Sequence, residues 1–305
     1  MIARVPFIPQ LDAGHDAPHA RVWAIVATGD APPAPGRGHR LRRHGPAHRL
    51  RGVTTEPARR AQRTLERASR LAPAGQVVTV MTRRCAPAWD RELATLPPGL
   101  RVVQPVYRGR AAEILHALLK IVRRDPAAIV IALPAGQRVD HDTRFLRQVG
   151  RAVWAVVLRP DVPLVVGARP DAPVADGWIE PGAPVEGLEA FDVRRVARFV
   201  DDASPAERWR LFEDRALVST AIFVARAETL LSLAGRALPE VRETLEPLEE
   251  AFDRPEEPLI CEAIYEAMPQ VDLGAVQRAP ELGVLVLPDA VWRAPERQAP
   301  QLLAS

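Results

Sequence analysis

The sequence predicts an α/β fold in which a mostly parallel sheet carries helices on both of its faces. Apolar runs of strand length recur along the chain, such as VWAIVA at 22–27 and AAIVIAL at 127–133. Segments with apolar residues at helical spacing separate these runs, and this alternation favours parallel strands joined by crossover helices. The run at 127–133 has no polar residue, which is typical of a central parallel strand buried on both faces.

Each element follows from its own local pattern. Apolar runs predict strands at 22–27, 76–81, 100–105, 127–133 and 163–168. Helical spacing predicts helices at 55–71, 89–95, 110–124, 142–156, 204–213, 227–236 and 258–268. In the first of these helices Ala61, Leu65 and Ala68 share one stripe, and Thr54 or Thr55 is the expected N-cap.

The helix predicted at 110–124 is nearly all apolar, so we expect it to pack against neighbours on both sides. Its polar stripe consists of Glu113, His116, Lys120 and Arg123 or Arg124. Lys120 is the single lysine of the chain, and its place on this stripe predicts a surface residue. A mechanism that needs a lysine must therefore use Lys120 or substitute arginine, which differs in shape and hydration.

The pattern changes near residue 176 to shorter strands and turns. We interpret these as insertions on the same sheet, because no long linker marks a second domain. The predicted division is a loosely ordered extension at 1–20, one domain at 21–295 and a tail at 296–305.

Composition is that of an ordinary globular protein, with 305 residues, of which 47% are hydrophobic and 26% charged. No apolar stretch approaches the roughly 20 residues that cross a bilayer, and the first residues lack the layout of a signal peptide. Cys85 and Cys261 are too few to predict a disulfide framework. We therefore expect a cytoplasmic protein without a membrane partner.

Charge is uneven along the chain. Residues 37–70 hold eleven arginines against Glu56 and Glu66, whereas residues 239–257 hold eight acids against two arginines. Two solvated faces are the favoured interpretation, and attraction of phosphate by the first block is the alternative. Nucleic acid is not an expected partner, because no aromatic residue interrupts the arginine block.

Short motifs follow the predicted strands, where ligands bind in open α/β sheets. In chain order they are WAIVATGD, VVQPVYRGRAAEIL, IVIALPAGQRVDHDTRFL, GARPDAPVADGWIEPG, VARFVDDASPAE and ALVSTAIFVARAETLL. The series, over most of 21–292, resembles the sugar-1-phosphate nucleotidyltransferases, most closely the mannose-1-phosphate guanylyltransferase (GDP-mannose pyrophosphorylase) type. The resemblance implies a three-layer αβα, Rossmann-like nucleotidyltransferase (GT-A-like) fold with a mostly parallel mixed sheet.

The resemblance also implies an activity and a set of site residues. In that family a sugar phosphate attacks a nucleoside triphosphate and expels pyrophosphate, with Mg²⁺ held by carboxylates. The implied nucleotide-binding residues are Thr28, Gly29, Asp30, Arg40, Gln104, Arg108, Gly109 and Gly136, with Arg40 the candidate catalytic residue. The implied sugar-binding residues are Gly177, Glu180 and Ser219. GTP or GDP-mannose is the implied ligand.

Several family residues are replaced in this chain. The aspartate and histidine of F-P-S-D-H fall on Gly136 and Gln137, and the second metal-binding aspartate falls on Ala294. The E-K pair becomes Asp201-Asp202, and W-N-[ST]-G becomes VSTA at 218–221. Three prolines interrupt the loop at 28–43 and remove amide donors, so we interpret it as the remnant of a triphosphate loop.

These losses predict a catalytically impaired protein that binds a nucleotide, a nucleotide sugar or a partner protein, such as itself or an active paralogue. The alternative is an active nucleotidyltransferase with a rearranged Mg²⁺ site built from Asp30, Asp140 or Asp142. The phosphate charges would then come from arginines of the loop, namely Arg37, Arg40, Arg42 and Arg43. A metal-dependent glycosyltransferase using the D-x-D motif is a more distant alternative.

Three smaller features have a functional and a structural interpretation. Asp140-His141-Asp142 has the D-x-D form, but one aspartate is expected to cap the following helix. The histidines at 39, 44 and 48 have the number needed for zinc, yet their Pro/Gly/Arg-rich setting favours a surface loop. Cys85 follows two arginines, and an ordinary thiol is expected because no paired base is in view.

Overall fold

The protein is described here by a computed structural model, which covers residues 19–29, 56–87, 89, 100–174, 177–289 and 291–293. Its strands are β1 Val22–Ala27, β2 Val77–Thr82, β3 Leu100–Gln104, β4 Ile129–Pro134, β5 Arg138–Val139, β6 Leu164–Ala168, β7 Trp178–Pro184, β8 Val193–Val200, β9 Leu217–Arg226, β10 Gly283–Val286 and β11 Trp292–Arg293. Its α-helices are α1 Glu56–Leu71, α2 Arg110–Arg124, α3 Asp142–Leu158, α4 Pro205–Glu213, α5 Ala227–Ala237, α6 Pro239–Ala251, α7 Glu257–Ala267 and α8 Gly274–Gln277.

Nine of the strands form one sheet in the order β3-β2-β1-β4-β9-β6-β10-β8-β7. The sheet is mixed, as predicted, but it is not mostly parallel, because antiparallel pairings slightly outnumber parallel ones. Parallel pairing joins β3, β2, β1 and β4 to one another and β6 to β10, whereas the other pairings are antiparallel. The cause is the segment after residue 176, where β7 and β8 form an antiparallel pair and β9 inserts antiparallel between β4 and β6.

A small closed barrel forms at one end of the sheet. Strand β7 pairs with β8 and also with the start of β9, where Trp178 lies opposite Val218. The strands β9, β6, β10, β8 and β7 therefore close on themselves. These strands belong to the nine-stranded sheet.

Two hydrophobic clusters use alternate residues of the central strands. Val22, Ala24 and Val26 of β1 belong to one cluster, with buried residues of α1 and α3. Trp23 and Ile25 belong to the other, with buried residues of α2, α5, α6 and α7. This alternation follows from the two-residue period of a strand.

Most predicted elements lie within two residues of their observed bounds, but α6 was missed. The eight acidic residues at 239–257 predicted a solvated face, yet Val241, Leu245 and Leu248 of this helix are buried. The helix predicted at 89–95 and most of the predicted extension and tail lie outside the described residues. Within the described ranges, no helix is both long and apolar enough to cross a membrane.

Candidate functional site

The predicted site begins where β1 and β4 end side by side. The two strands pair in parallel, with Ala27 opposite Pro134, and the N–H of Ala135 donates to the carbonyl of Ala27 at 2.9 Å. Thr28, Gly29 and Gly136 therefore lie at the same edge of the sheet. A Cβ at Gly136 would meet nothing within 4 Å, so this glycine faces open space.

The amide of Gly29 is already bonded within the protein. Its N–H donates to Oε1 of Glu113 at 2.8 Å, and φ of Gly29 is +66°, a left-handed value that favours glycine. Glu113 is fully buried on α2, and burial raises its pKa to about 7 although the Gly29 bond and Arg110 act in the opposite direction. In a nucleotide-binding loop this backbone N–H would donate to a phosphate, but here it donates to the carboxyl group of Glu113.

Gln104 belongs to a buried polar cluster below this edge. Its Nε2 donates to the hydroxyl of Tyr265 at 2.7 Å, and that hydroxyl lies 3.0 Å from Nδ1 of His116. Burial lowers the pKa of His116 to about 3 and raises that of Tyr265 well above its usual value. The implied nucleotide-binding residue Gln104 is fully buried in this network.

Arg108 and Gly109 hold the C-terminal part of the chain. The Arg108 guanidinium donates to the carbonyls of Tyr265 and Glu266, at 2.6 and 2.9 Å. Gly109 has φ of +91°, and a Cβ there would lie 2.2 Å from the carbonyl oxygen of Val271. These contacts give Arg108 and Gly109 structural roles that do not require a bound nucleotide.

Gln137 connects three segments at the end of β4. Its Nε2 donates to the carbonyl of Thr220 at 2.9 Å, and its Oε1 accepts a bond from Nε1 of Trp292. The side chain is 7% exposed. Mg²⁺ prefers carboxylate oxygens, so the neutral pair Gly136 and Gln137 does not fit the metal at the position where the family resemblance implies a carboxylate.

Asp140 and Asp142 each bind an arginine of another segment. Asp140 accepts from Nε of Arg293 at 2.6 Å, and Asp142 accepts from Nε of Arg67 at 2.7 Å. The expected helix cap is also wrong, because the N-cap of α3 is His141 without a side-chain cap bond. Among the described residues, no group of three His, Cys, Asp or Glu could hold a metal ion.

A cavity of about 390 Å³ lies next to two of the implied sugar-binding residues, because Asp201 in its lining bonds to the Gly177 backbone and Ala221 in its lining bonds to Ser219. Gly177, Glu180 and Ser219 themselves do not line it. Its lining residues are Arg110, Asp201, Asp202, Ala221, Asp272, Leu273, Gly274 and Gln277. Burial raises the pKa of Asp201, whereas Arg278 lowers it. The Oε1 of Gln277 is buried, with no hydrogen-bond partner in the described part of the chain.

Gly177 and Ser219 help to shape the neighbouring turn, whereas Glu180 has another role. The N–H of Ser219 donates to the carbonyl of Gly177 at 2.7 Å, and Ser219 Oγ accepts from the N–H of Ala221 at 3.1 Å. Ala221 has φ of +56°, so alanine adopts the left-handed conformation where the family motif has glycine. Glu180 instead accepts from Arg210 at 3.1 Å in a surface ion-pair network.

Several sequence predictions lie outside the described residues. They are the loop residues Asp30, Arg37, Arg40, Arg42 and Arg43, the histidines at 39, 44 and 48, and Ala294. Neither Cys85 nor Cys261 forms a disulfide bond among the described residues, and both are buried. Burial raises the pKa of Cys261 to about 11, so its thiol is protonated at neutral pH.

Sequence reasoning missed the site roles of Glu113 and His116, and it misplaced Lys120. The signal was present, since Glu113 and His116 are three residues apart in an otherwise apolar helix. Lys120 is not a surface residue, because its side chain is 20% exposed and pairs with Glu257. A polar stripe on a helix that packs on both sides therefore indicated a buried cluster.

Comparisons with known proteins support the fold. No family model matches the chain, and no curated protein matches it. A structure of mannose-1-phosphate geranyltransferase from Thermus thermophilus is 22% identical, with a TM-score of 0.68 over 89% of this chain and 75% of that chain. A structure of mannose-6-phosphate isomerase from Helicobacter pylori is 12% identical, with a TM-score of 0.67 over 90% of this chain and 100% of that chain. The chain thus shares the fold of these two structures.

Proposed function

We propose that the chain is a mannose-1-phosphate guanylyltransferase-like protein that binds a nucleotide sugar and does not transfer nucleotidyl groups. The observation that carries this proposal is the hydrogen bonding of the Gln137 side chain within the protein. Both ends of its amide bond to the protein itself, at Thr220 and Trp292, where the family motif carries polar residues for catalysis. This side chain serves to join β4, β9 and β11.

The phosphate side supports the same proposal. The carboxyl group of Glu113 accepts the Gly29 N–H, so a phosphate at this amide would meet a like charge above the pKa of Glu113. Of the three aspartates available for a rearranged Mg²⁺ site, Asp140 and Asp142 already bind arginines, and Asp30 lies outside the described residues. The family's two metal-binding aspartates, at Gly136 and Ala294, and its lysine, at Asp202, are all replaced, and such losses are hard to offset in a reaction driven by charge neutralisation.

The cavity of about 390 Å³ next to Gly177 and Ser219 carries polar groups. Carboxylates of Asp201, Asp202 and Asp272 are acceptors for sugar hydroxyls, and Arg110 supplies a donor and a positive charge. The two structures reported above have mannose phosphates in their names, which makes mannose the first sugar to test. The absence of the family lysine at Asp202 favours a nucleotide sugar over a free sugar phosphate.

The test is calorimetric titration with GTP and GDP-mannose, each with and without Mg²⁺. We expect GDP-mannose to bind equally well in both conditions, and no pyrophosphate release from GTP and mannose-1-phosphate. Arg110→Met should weaken GDP-mannose binding about tenfold by removing one charge-assisted contact. The matched control is Arg124→Met, because Arg124 is exposed at the other end of the same helix.

Mg²⁺-dependent release of pyrophosphate would overturn the proposal and favour an active enzyme. Failure of both ligands to bind would also overturn it. Self-association and assembly with an active paralogue stay predictions. Sedimentation of the purified chain tests the first, and sedimentation of the chain mixed with the paralogue tests the second.

A further inference from the structure

A second cavity lies at the edge of the sheet and shares no lining residue with the first. Its volume is about 300 Å³, and it lies between β3, α2 and α7. Val102, Val103, Pro105 and Pro258 supply apolar wall, and His116 and Lys120 supply polar groups. A concave site with apolar walls and a few convergent polar groups is the usual form of a small-molecule site. We call it the edge cavity.

The hydrogen bonds around Tyr265 favour one tautomer of His116. The Gln104 amide nitrogen donates to the Tyr265 hydroxyl, and an amide nitrogen is a donor only. The proton of the hydroxyl is then available to Nδ1 of His116, 3.0 Å away, and we assign it there. Since burial keeps the pKa of His116 near 3, the ring is neutral and its own proton is on Nε2.

The Nε2–H group of His116 is a buried donor in need of an acceptor. His116 is 2% exposed and lines the edge cavity, and within the described ranges its Nε2 has no hydrogen-bond partner. A buried donor left unpaired costs about 1–3 kcal/mol. Such a group in a cavity wall indicates a ligand with an acceptor atom.

The charges around the edge cavity favour an anionic acceptor. Lys120 lies one turn after His116 on the same face of α2, and its Nζ is 5.0 Å from the ring centre of Phe252. Glu257 accepts one of its three N–H groups. Arg83 and Arg101 also line the cavity, and Arg83 forms an ion pair with Glu262, so Lys120 is the cation that stands beside His116.

We propose that the edge cavity binds a small organic carboxylate with an apolar body. A carboxylate oxygen accepts the bond from His116 Nε2–H beside the Lys120 ammonium. The apolar body packs against the valine and proline wall. This site is independent of the function proposed above, because the two cavities have separate linings.

The test uses benzoate as the probe, with benzyl alcohol and inorganic phosphate as partial mimics. Calorimetry or NMR titration should give a Kd on the order of 1 mM for benzoate, as expected for a ligand of this size. Benzyl alcohol has the apolar body without the charge, and phosphate has the charge without the body. Each should bind at least about tenfold more weakly than benzoate.

Two variants separate the site from the stability of the fold. Val103→Trp fills the cavity from a side chain that is 43% exposed, so it should abolish benzoate binding in a folded protein. Lys120→Met should weaken binding about tenfold, whereas Arg124→Met should leave it unchanged. The proposal is wrong if benzoate does not bind, if phosphate binds as tightly, or if Val103→Trp binds benzoate normally.

Discussion

Replacing Glu113 with glutamine should make the protein more stable at alkaline pH and leave its stability almost unchanged at pH 4.5. Glu113 is fully buried, and its pKa is raised from 4.5 to about 7. The folded state therefore holds a proton that the unfolded state releases between these values, so stability falls as pH rises from 4.5 to 7. A pKa difference of this size corresponds to roughly 3 kcal/mol of unfolding free energy. Glutamine avoids this loss, because its amide is neutral and its oxygen still accepts the Gly29 N–H.

The assay is urea unfolding of the native protein and of Glu113→Gln at pH 4.5, 6, 7 and 8. His116 acts in the opposite direction, because its lowered pKa makes stability rise with pH up to about 6.5. Both proteins contain His116, so the difference between their unfolding free energies isolates Glu113. The control is Glu243→Gln on the exposed side of α6, expected to differ by less than about 0.5 kcal/mol throughout. A difference between native protein and Glu113→Gln that does not change with pH would refute the reasoning.

Two pairs of substitutions test whether predicted site residues are structural. Gly109→Ala should cost more than about 3 kcal/mol, because its Cβ would overlap Val271 at a left-handed φ, whereas Gly75→Ala, with open space, should cost less than about 0.5 kcal/mol in the same urea assay. Asp142→Asn should cost about 2 kcal/mol, because its partner Arg67 has a side chain only 4% exposed. Asp140→Asn, whose partner Arg293 is 56% exposed, should cost less than about 1 kcal/mol, and equal thermal midpoints for the two variants would contradict this order.

Local patterns were enough to predict the first half of the fold. The strands at β1, β2, β3, β4 and β6 and the helices α1 to α3 follow from apolar runs and helical spacing, which depend on neighbours in the chain. Strand direction after residue 176 was beyond such reasoning. A strand of alternating or apolar residues has the same pattern whether its partner is parallel or antiparallel. The antiparallel pairing of β7 with β8 and the position of β9 beside β4 are therefore known only from the structure.

The candidate site shows the same division. The sequence alone determined which residues are present: no carboxylate at Gly136 or Gln137, two aspartates where E-K was expected, and one lysine. Only the tertiary structure decided what these residues bind. Glu113 meets Gly29 across 84 positions of the chain, and His116 meets Tyr265 across 149. Such contacts depend on how helices pack on the sheet, because residue type fixes which bonds a side chain can make and the fold fixes which partner is within reach.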